Sequence, residues 1–387
     1  MRHEMMHQMQ KILIFSLAYY PHVGGAEIAL KEITDRIVDT EFHLLTLNFG
    51  GELKEEKIGN IFVHRVGNSA SYLSKILFAL RAAVAAARLH RIHHFDAFWA
   101  MMSYMLFPIV LMRIMGLRNP YLLTLQEGDP FHHTFNRWFI LPFKLLLKSG
   151  FKNASAVQAI STYLGQWAHQ MGYQGETLII PNGVDVARFT HVGPPRSHMG
   201  EVVTLVTTSR LVHKNAIDDV IRALALLPAQ VHFLIIGTGP DADELMELTH
   251  ELGVETRVEF LGHIDHDQLP YYLHNSDIFI RPSRSEGMGN SFIEAMAAGL
   301  PIIATQEGGI ADFLFDAKSN PDKETTGWVV DRGSPEQIAE AVKDILAHPD
   351  QVTLVTATAK KLVTEKYGWD LIAERMKAIL DHLTENA

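Results

Sequence analysis

Short apolar runs alternate with longer runs of helical periodicity along this chain, and the alternation occurs twice. KILIFSL, FHLLTLN, IFVHRV, AFWAMM, YLLTL and AVQAIS read as strands in the first half. VVTLVTTS, VHFLIIG, RVEFLG, DIFIRP, PIIAT and GWVV read as strands in the second, with helical segments such as AIDDVIRALALL and ADELMELTHELG between them. Runs this short and this apolar suit strands covered on both faces, and the helices between them supply the crossovers of a parallel sheet. After Pro181 the sequence NGVDVARFTHVGPPRSHMGE is rich in turn residues and lacks a period, which marks a domain boundary. The expected fold is α/β with two doubly wound, Rossmann-like domains. Ligands of such sheets sit beyond the carboxyl ends of the strands.

The length of 387 residues supports the same division, because domains average ~150 residues and one core rarely serves so long a chain. A formal net charge of -10 argues against a nucleic-acid partner, whose backbone attracts a surplus of lysine and arginine. The absence of cysteine excludes disulfides and thiolate metal ligands. The opening MRHEMMHQMQ has no apolar core of a secretory signal, and the run Met105 to Met112 is stopped by Arg113, short of a spanning helix. A soluble or peripheral, cytoplasmic protein is expected.

Chemistry is therefore sought at strand ends. Gly24 and Gly25 follow the first strand and precede a helix, so backbone N–H groups there could approach an anion or a sugar; a plain turn would use glycines in the same way. Arg210 and Lys214 stand four residues apart after VVTLVTTS, where two cations could neutralise a diphosphate or simply be solvated. Gly237 and Gly239 end the next strand, a G-x-G without the third glycine of the dinucleotide fingerprint. The stretch RPSRSEGMGNSFIEAMAAGLPIIAT carries Glu286 beside Gly287 and Gly289, and then Ser291 and Glu294 in the spacing of a capping box. Helix capping is one account of Glu294, and acceptance of ligand hydroxyls is the other.

Glu286 and Glu294, with seven residues between them and followed by AMAAGLPIIAT, resemble the E-x7-E motif of retaining nucleotide-sugar glycosyltransferases of the GT-B fold, a group that includes phosphatidylinositol mannosyltransferases and sucrose-phosphate synthases. The paired glycines, PNGVDVARF, SRLVHKN, IIGTGP and FLGHID fall in the order that family shows, so the resemblance covers nearly the whole chain. It implies that Glu294 holds the ribose hydroxyls and Glu286 the transferred sugar. It also implies that Arg210 and Lys214 neutralise the leaving diphosphate, and that Gly287, Met288, Gly289 and Asn290 offer backbone donors. A hexose would pass from a nucleoside-diphosphate sugar to a glycan or lipid-linked acceptor, with no metal or other cofactor. A sugar-nucleotide epimerase of the same shape and a non-catalytic sugar-binding protein are the alternatives.

By the same resemblance the first domain, 1–192, binds acceptor, the second, 198–367, binds donor across a cleft, and a helix at 368–387 crosses back to the first. Many relatives have a histidine where this chain has Gln126, Glu127, Gly128 and Asp129, so Gln126, Glu127 and Asp129 are candidates to face sugar or acceptor. Many also have glycine where this chain has Asn215, a residue that tolerates positive φ. Among 21 histidines the neighbours His93 and His94, and His132 and His133, lack chelating spacing, since adjacent side chains point apart. The segment 131–152 interleaves Phe131, Phe135, Trp138, Phe139 and Phe143 with Arg137, Lys144, Lys148 and Lys152. It reads either as core helix with solvated lysines, the commoner case, or as a segment that makes peripheral membrane contact.

Overall fold

The computed structural model describes residues 9–190 and 202–385. Backbone contacts divide the chain into two compact units, Met1–Asn182 with Trp369–Ala387, and Gly183–Gly368. The stretch 192–198, where the sequence suggests the boundary, lies outside the described residues. The division falls earlier because helix Val186–Thr190 packs on helix Asn290–Ala297 and buries Phe189 completely.

The first unit is built on strands β1 (Gln10–Phe15), β2 (Thr40–Leu47), β3 (Glu55–Ile58), β4 (Ile61–Val66), β5 (Ala97–Met101), β6 (Tyr121–Leu125), β7 (Ala156–Ala159) and β8 (Thr177–Ile179). They form one sheet in the order β3-β4-β2-β1-β5-β6-β7-β8, parallel throughout except for the β3/β4 hairpin at one edge. Ile12 pairs with Phe42 on one side and with Ala97 on the other, and Ile12 to Phe15 have no exposed surface. Helix Trp369–Glu385 closes this unit. Its Ile372, Met376 and Leu380 join the core of Ile12, Ile14 and Trp99, while Arg36 Nε donates to Asp370 at 2.7 Å.

The second unit holds β9 (Val203–Thr208), β10 (Val231–Ile236), β11 (Val258–Gly262), β12 (Ile278–Arg281), β13 (Ile302–Ala304) and β14 (Trp328–Val329), all parallel, in the order β11-β10-β9-β12-β13-β14. Chain order reverses between β1 and β5 in the first sheet and between β9 and β12 in the second. Crevices for ligands open at such switch points, outside the carboxyl ends of the strands.

Candidate active site

The loops after β9, β10, β12 and β13 are fastened to one another through their backbones. Leu211 N donates to Thr238 O at 2.9 Å, Arg284 N to Lys214 O at 2.7 Å, and Gly309 N to Glu286 O at 3.1 Å. Glycine makes these approaches feasible. A Cβ on Gly237 would stand 1.9 Å from Ser209 O, one on Gly239 2.0 Å from Leu211 O, and one on Gly308 1.9 Å from Glu286 O. Gly237 and Gly239, candidates for the nucleotide site by their place at the end of a strand, thus have a packing reason of their own.

Arg210 is exposed and Lys214 half-buried in the turn after β9. Asn215 is buried and its Nδ2 donates to Arg210 O at 2.6 Å, so the side chain braces the turn that carries both cations. The positive φ anticipated for Asn215 falls instead on Ala216, at 56°. Behind this turn Arg284 forks onto Asp218 with two bonds of 2.8 Å and reaches His213 O at 2.7 Å. That pairing holds the Asp218 carboxyl below its usual range against the opposing effect of burial.

Glu286 is held by Arg281, whose Nη2 donates to Oε2 at 2.8 Å, and by Gly287 N, which donates to Oε1 at 3.0 Å. Arg281 closes β12 and is almost wholly buried. Its Nη1 donates to Ser291 Oγ at 2.9 Å and its guanidinium lies 4.3 Å over the Phe292 ring. Burial pulls its pKa below the ordinary arginine value, while Glu286 and Glu294 favour the charged form. Gly289 must be glycine here: its φ is 85°, and a Cβ would meet Arg281 Nη2 at 2.5 Å and Phe292 at 2.6 Å.

The capping-box account of Ser291 and Glu294 is not what the structure shows. Helix Asn290–Ala297 begins before Ser291 with Gly289 as its N-cap and no side chain bonded there. Ser291 instead receives Arg281, and Glu294 Oε1 pairs with His266 Nε2 at 2.8 Å. That bond raises the His266 pKa above its ordinary value in spite of burial. Met288 is buried between Gly287 and Gly289 in the loop that enters this helix, and Asn290 is the helix's first residue. Arg281 and His266 escaped the sequence reading. An arginine ending the apolar run IFIR is a usable clue, since a charge so placed needs a carboxylate; nothing local connects His266 with Glu294.

In the first unit Gly24 N donates to Glu27 Oε2 at 2.8 Å, so a carboxylate of the same helix already occupies this donor, beside Gly25. Glu127 does not face outward. It is buried, accepting from Ser103 N at 2.6 Å and Gln126 N at 3.0 Å, and burial raises its pKa. By holding Ser103 N it fixes the turn after β5, where the preceding Met102 has a φ of 70°, a conformation costly for a residue with a side chain. Gln126 stays half-buried with Oε1 3.4 Å from Asn182 Nδ2, and Asp129 lies 3.4 Å from His133.

Residues 197–381 match the family described as glycosyl transferases group 1, and residues 23–188 match glycosyltransferase family 4. A GDP-mannose-dependent alpha-(1-6)-phosphatidylinositol monomannoside mannosyltransferase of Mycobacterium tuberculosis is 27% identical over 96% of this chain and 98% of its own length. The gpi3 subunit of the phosphatidylinositol N-acetylglucosaminyltransferase of Schizosaccharomyces pombe is 27% identical over 53% of this chain and 43% of its own. Sucrose-phosphate synthase from Thermosynechococcus elongatus superposes with a TM-score of 0.84 at 19% identity, covering 98% of this chain and 100% of that one. An Anabaena protein solved with UDP and glucose gives 0.76 at 21% identity over 96% and 100%. With the two sheets, the order of their strands and a glycosyltransferase family matched by each half, the second of them the group 1 family over residues 197–381, the chain is a glycosyltransferase of the GT-B fold.

Proposed function

We propose that this protein moves a hexose from a nucleoside-diphosphate sugar to a glycan or lipid-linked acceptor with retention of configuration. The observation that carries the reading is the mutual fastening of the loops after β9 and β12. It brings Arg210, Lys214, Glu286, Glu294 and an uncapped helix start to one carboxyl edge of one sheet. Arg210 and Lys214 neutralise the departing diphosphate, and with the helix start they take the electrostatic place of a divalent ion. Glu294 accepts the ribose hydroxyls, through the oxygen not bonded to His266 or by displacing that ring. Glu286, fixed by Arg281, accepts from the sugar. The acceptor oxygen bonds to the anomeric carbon as the bond from that carbon to the phosphate oxygen breaks. The phosphate takes the acceptor proton on the same face, which retains configuration.

The Mycobacterium tuberculosis relative, aligned over 96% of the chain, is named for GDP-mannose, which makes it the first donor to test. GDP, UDP and ADP with their sugars are compared by thermal shift, since a ligand bound only to folded protein raises Tm by mass action. Nucleoside diphosphate release is then followed with a phosphatidylinositol mannoside as acceptor. A shift with one base, and release that depends on acceptor, are expected. Acceptor-independent conversion of the donor sugar would instead indicate the epimerase.

Peripheral membrane contact is part of the same proposal. The segment 131–152 is divided in the structure: Phe135 and Leu147 are core, whereas Trp138, Leu141, Phe143 and Leu145 are exposed. Tyr72, Leu73, Ile76, Leu80 and Val84 form an exposed stripe on helix Tyr72–His93, joined to that segment by the Tyr72–Phe139 ring contact at 6.1 Å. Among the described residues no helix is long and apolar enough to cross a membrane. Apolar side chains beside Arg137, Lys144 and Lys148 suit an anionic lipid surface. Co-sedimentation with anionic vesicles is expected and should weaken in Trp138→Ser with Ile76→Ser. Equal sedimentation with and without vesicles would remove the idea.

A further inference from the structure

In the first unit, away from every group assigned to transfer, the fold gathers Glu41, His43 and His93 so that one ligand atom of each lies within 4.8 Å of the others. Glu41 and His43 alternate along β2 and so share a face, while His93 ends helix Tyr72–His93, which packs over that face. The neighbour pair His93 and His94 lacks chelating spacing, as its sequence suggests, but tertiary structure recruits His93 alone to partners far away in the chain.

The hydrogen-bond chain through this cluster is short of one proton. Glu41 Oε1 stands 3.0 Å from His43 Nε2, His43 Nδ1 2.9 Å from His64 Nε2, and His64 Nδ1 3.3 Å from Glu55 Oε1. These three links end on two carboxylates, and two neutral imidazoles supply only two protons. With His64 donating to Glu55 and His43 to His64, the lone pair of His43 Nε2 faces the Glu41 carboxylate. A cation resolves that opposition. The His43 ring is further fixed between Phe62, at 5.1 Å, and His93, at 4.3 Å.

We propose that Glu41, His43 and His93 bind a divalent transition metal of the zinc class, with His64 and Glu55 orienting the His43 ring from behind. Two imidazoles and a carboxylate are a zinc donor set, and a metal-bound histidine usually donates its other N–H to a partner that fixes its tautomer. Ligands ~2.1 Å from one ion at tetrahedral angles stand ~3.4 Å apart. The 3.0 Å pair therefore opens slightly and the wider separations close. Lys11 Nζ, 3.7 Å from Glu41 Oε1, competes for that carboxylate, and its flexible stem lets it withdraw. The ion would tie the start of β2 to the end of the helix before β5, a structural role separate from the proposed metal-free transfer.

The test uses untagged full-length protein stripped with chelator and titrated with Zn2+ by calorimetry and thermal shift. Co2+ is then added as a spectroscopic probe. Wild type should bind one equivalent, gain several degrees in Tm, and show the intense visible bands of four-coordinate cobalt. His93→Gln and Glu41→Gln should each bind at least tenfold more weakly, and His132→Gln, exposed and outside the cluster, should match wild type. Far-UV circular dichroism confirms that the variants are folded. No saturable Zn2+ binding by wild type, or wild-type affinity in either His93→Gln or Glu41→Gln, would overturn the proposal.

Discussion

Lys214→Ala is expected to slow transfer by ~10²–10³-fold with the fold intact, the effect of removing one group that stabilises charge developing in a transition state. The leaving diphosphate carries two negative charges or more, and the proposal gives it two cations from one turn. Arg210→Ala should act in the same direction. Neither change disturbs the core: Arg210 is exposed and Lys214 half-buried, while the turn is braced by Asn215 and by Arg284 N bonded to Lys214 O. Those braces belong to backbone atoms that alanine retains. Single-turnover rates with Tm measured alongside check the prediction. Near wild-type rates in both variants would remove the diphosphate from this turn.

Arg281→Met should be the most destabilising single change at the site. It leaves the Glu286 carboxylate without its guanidinium partner and frees Ser291 Oγ and Thr208 O of their shared donor. Breaking a buried ion pair by deleting one partner costs about 3–5 kcal/mol, because the remaining charge is left in a poorly solvated place. Glu286 keeps some contact with solvent, so the lower end is expected. The double variant Arg281→Met/Glu286→Gln should recover part of the loss, since the stranded charge goes with it. Urea unfolding of the four proteins forms the cycle. The transition assigned to the second unit is the one to compare, since two units need not unfold together. Additive effects, with no recovery, would mean that Arg281 is anchored by its ring contact and backbone bonds instead.

Both predictions depend on features of unequal legibility. The apolar runs that form β1, β2, β4 to β7 and β9 to β14 are visible because parallel strands covered on both faces must be apolar. β3, with the sequence EEKI, escapes because a charged antiparallel edge carries no such run, and charges there discourage edge pairing. β8 is only TLI, too short to carry a pattern. At the site, Glu286 and Glu294 are found by their spacing. Their partners are not, because Arg281 lies in the strand and His266 comes from the loop after β11, 28 positions away. The spacing of Ser291 and Glu294 even suggests a cap that tertiary pairing overrides. Glu127 misleads similarly: a carboxylate at a strand end looks available, yet it is buried and already accepts from Ser103 N and Gln126 N.

The account stands or falls on the division of labour between the two glutamates, and calorimetric titration of nucleoside diphosphate into wild type, Glu286→Gln and Glu294→Gln measures it directly. Glu294→Gln puts an amide donor where the ribose hydroxyls need an acceptor and weakens the His266 pair, and a hydrogen bond to a charged group is worth about 1.5–3 kcal/mol. Affinity should therefore fall at least tenfold. Glu286→Gln should leave nucleoside diphosphate affinity nearly unchanged while transfer from the sugar nucleotide drops, since the proposal assigns its carboxylate to the sugar and not to the nucleotide. Unchanged affinity and turnover in Glu294→Gln would contradict the account, and weakened nucleotide binding in Glu286→Gln alone would show the two roles to be reversed.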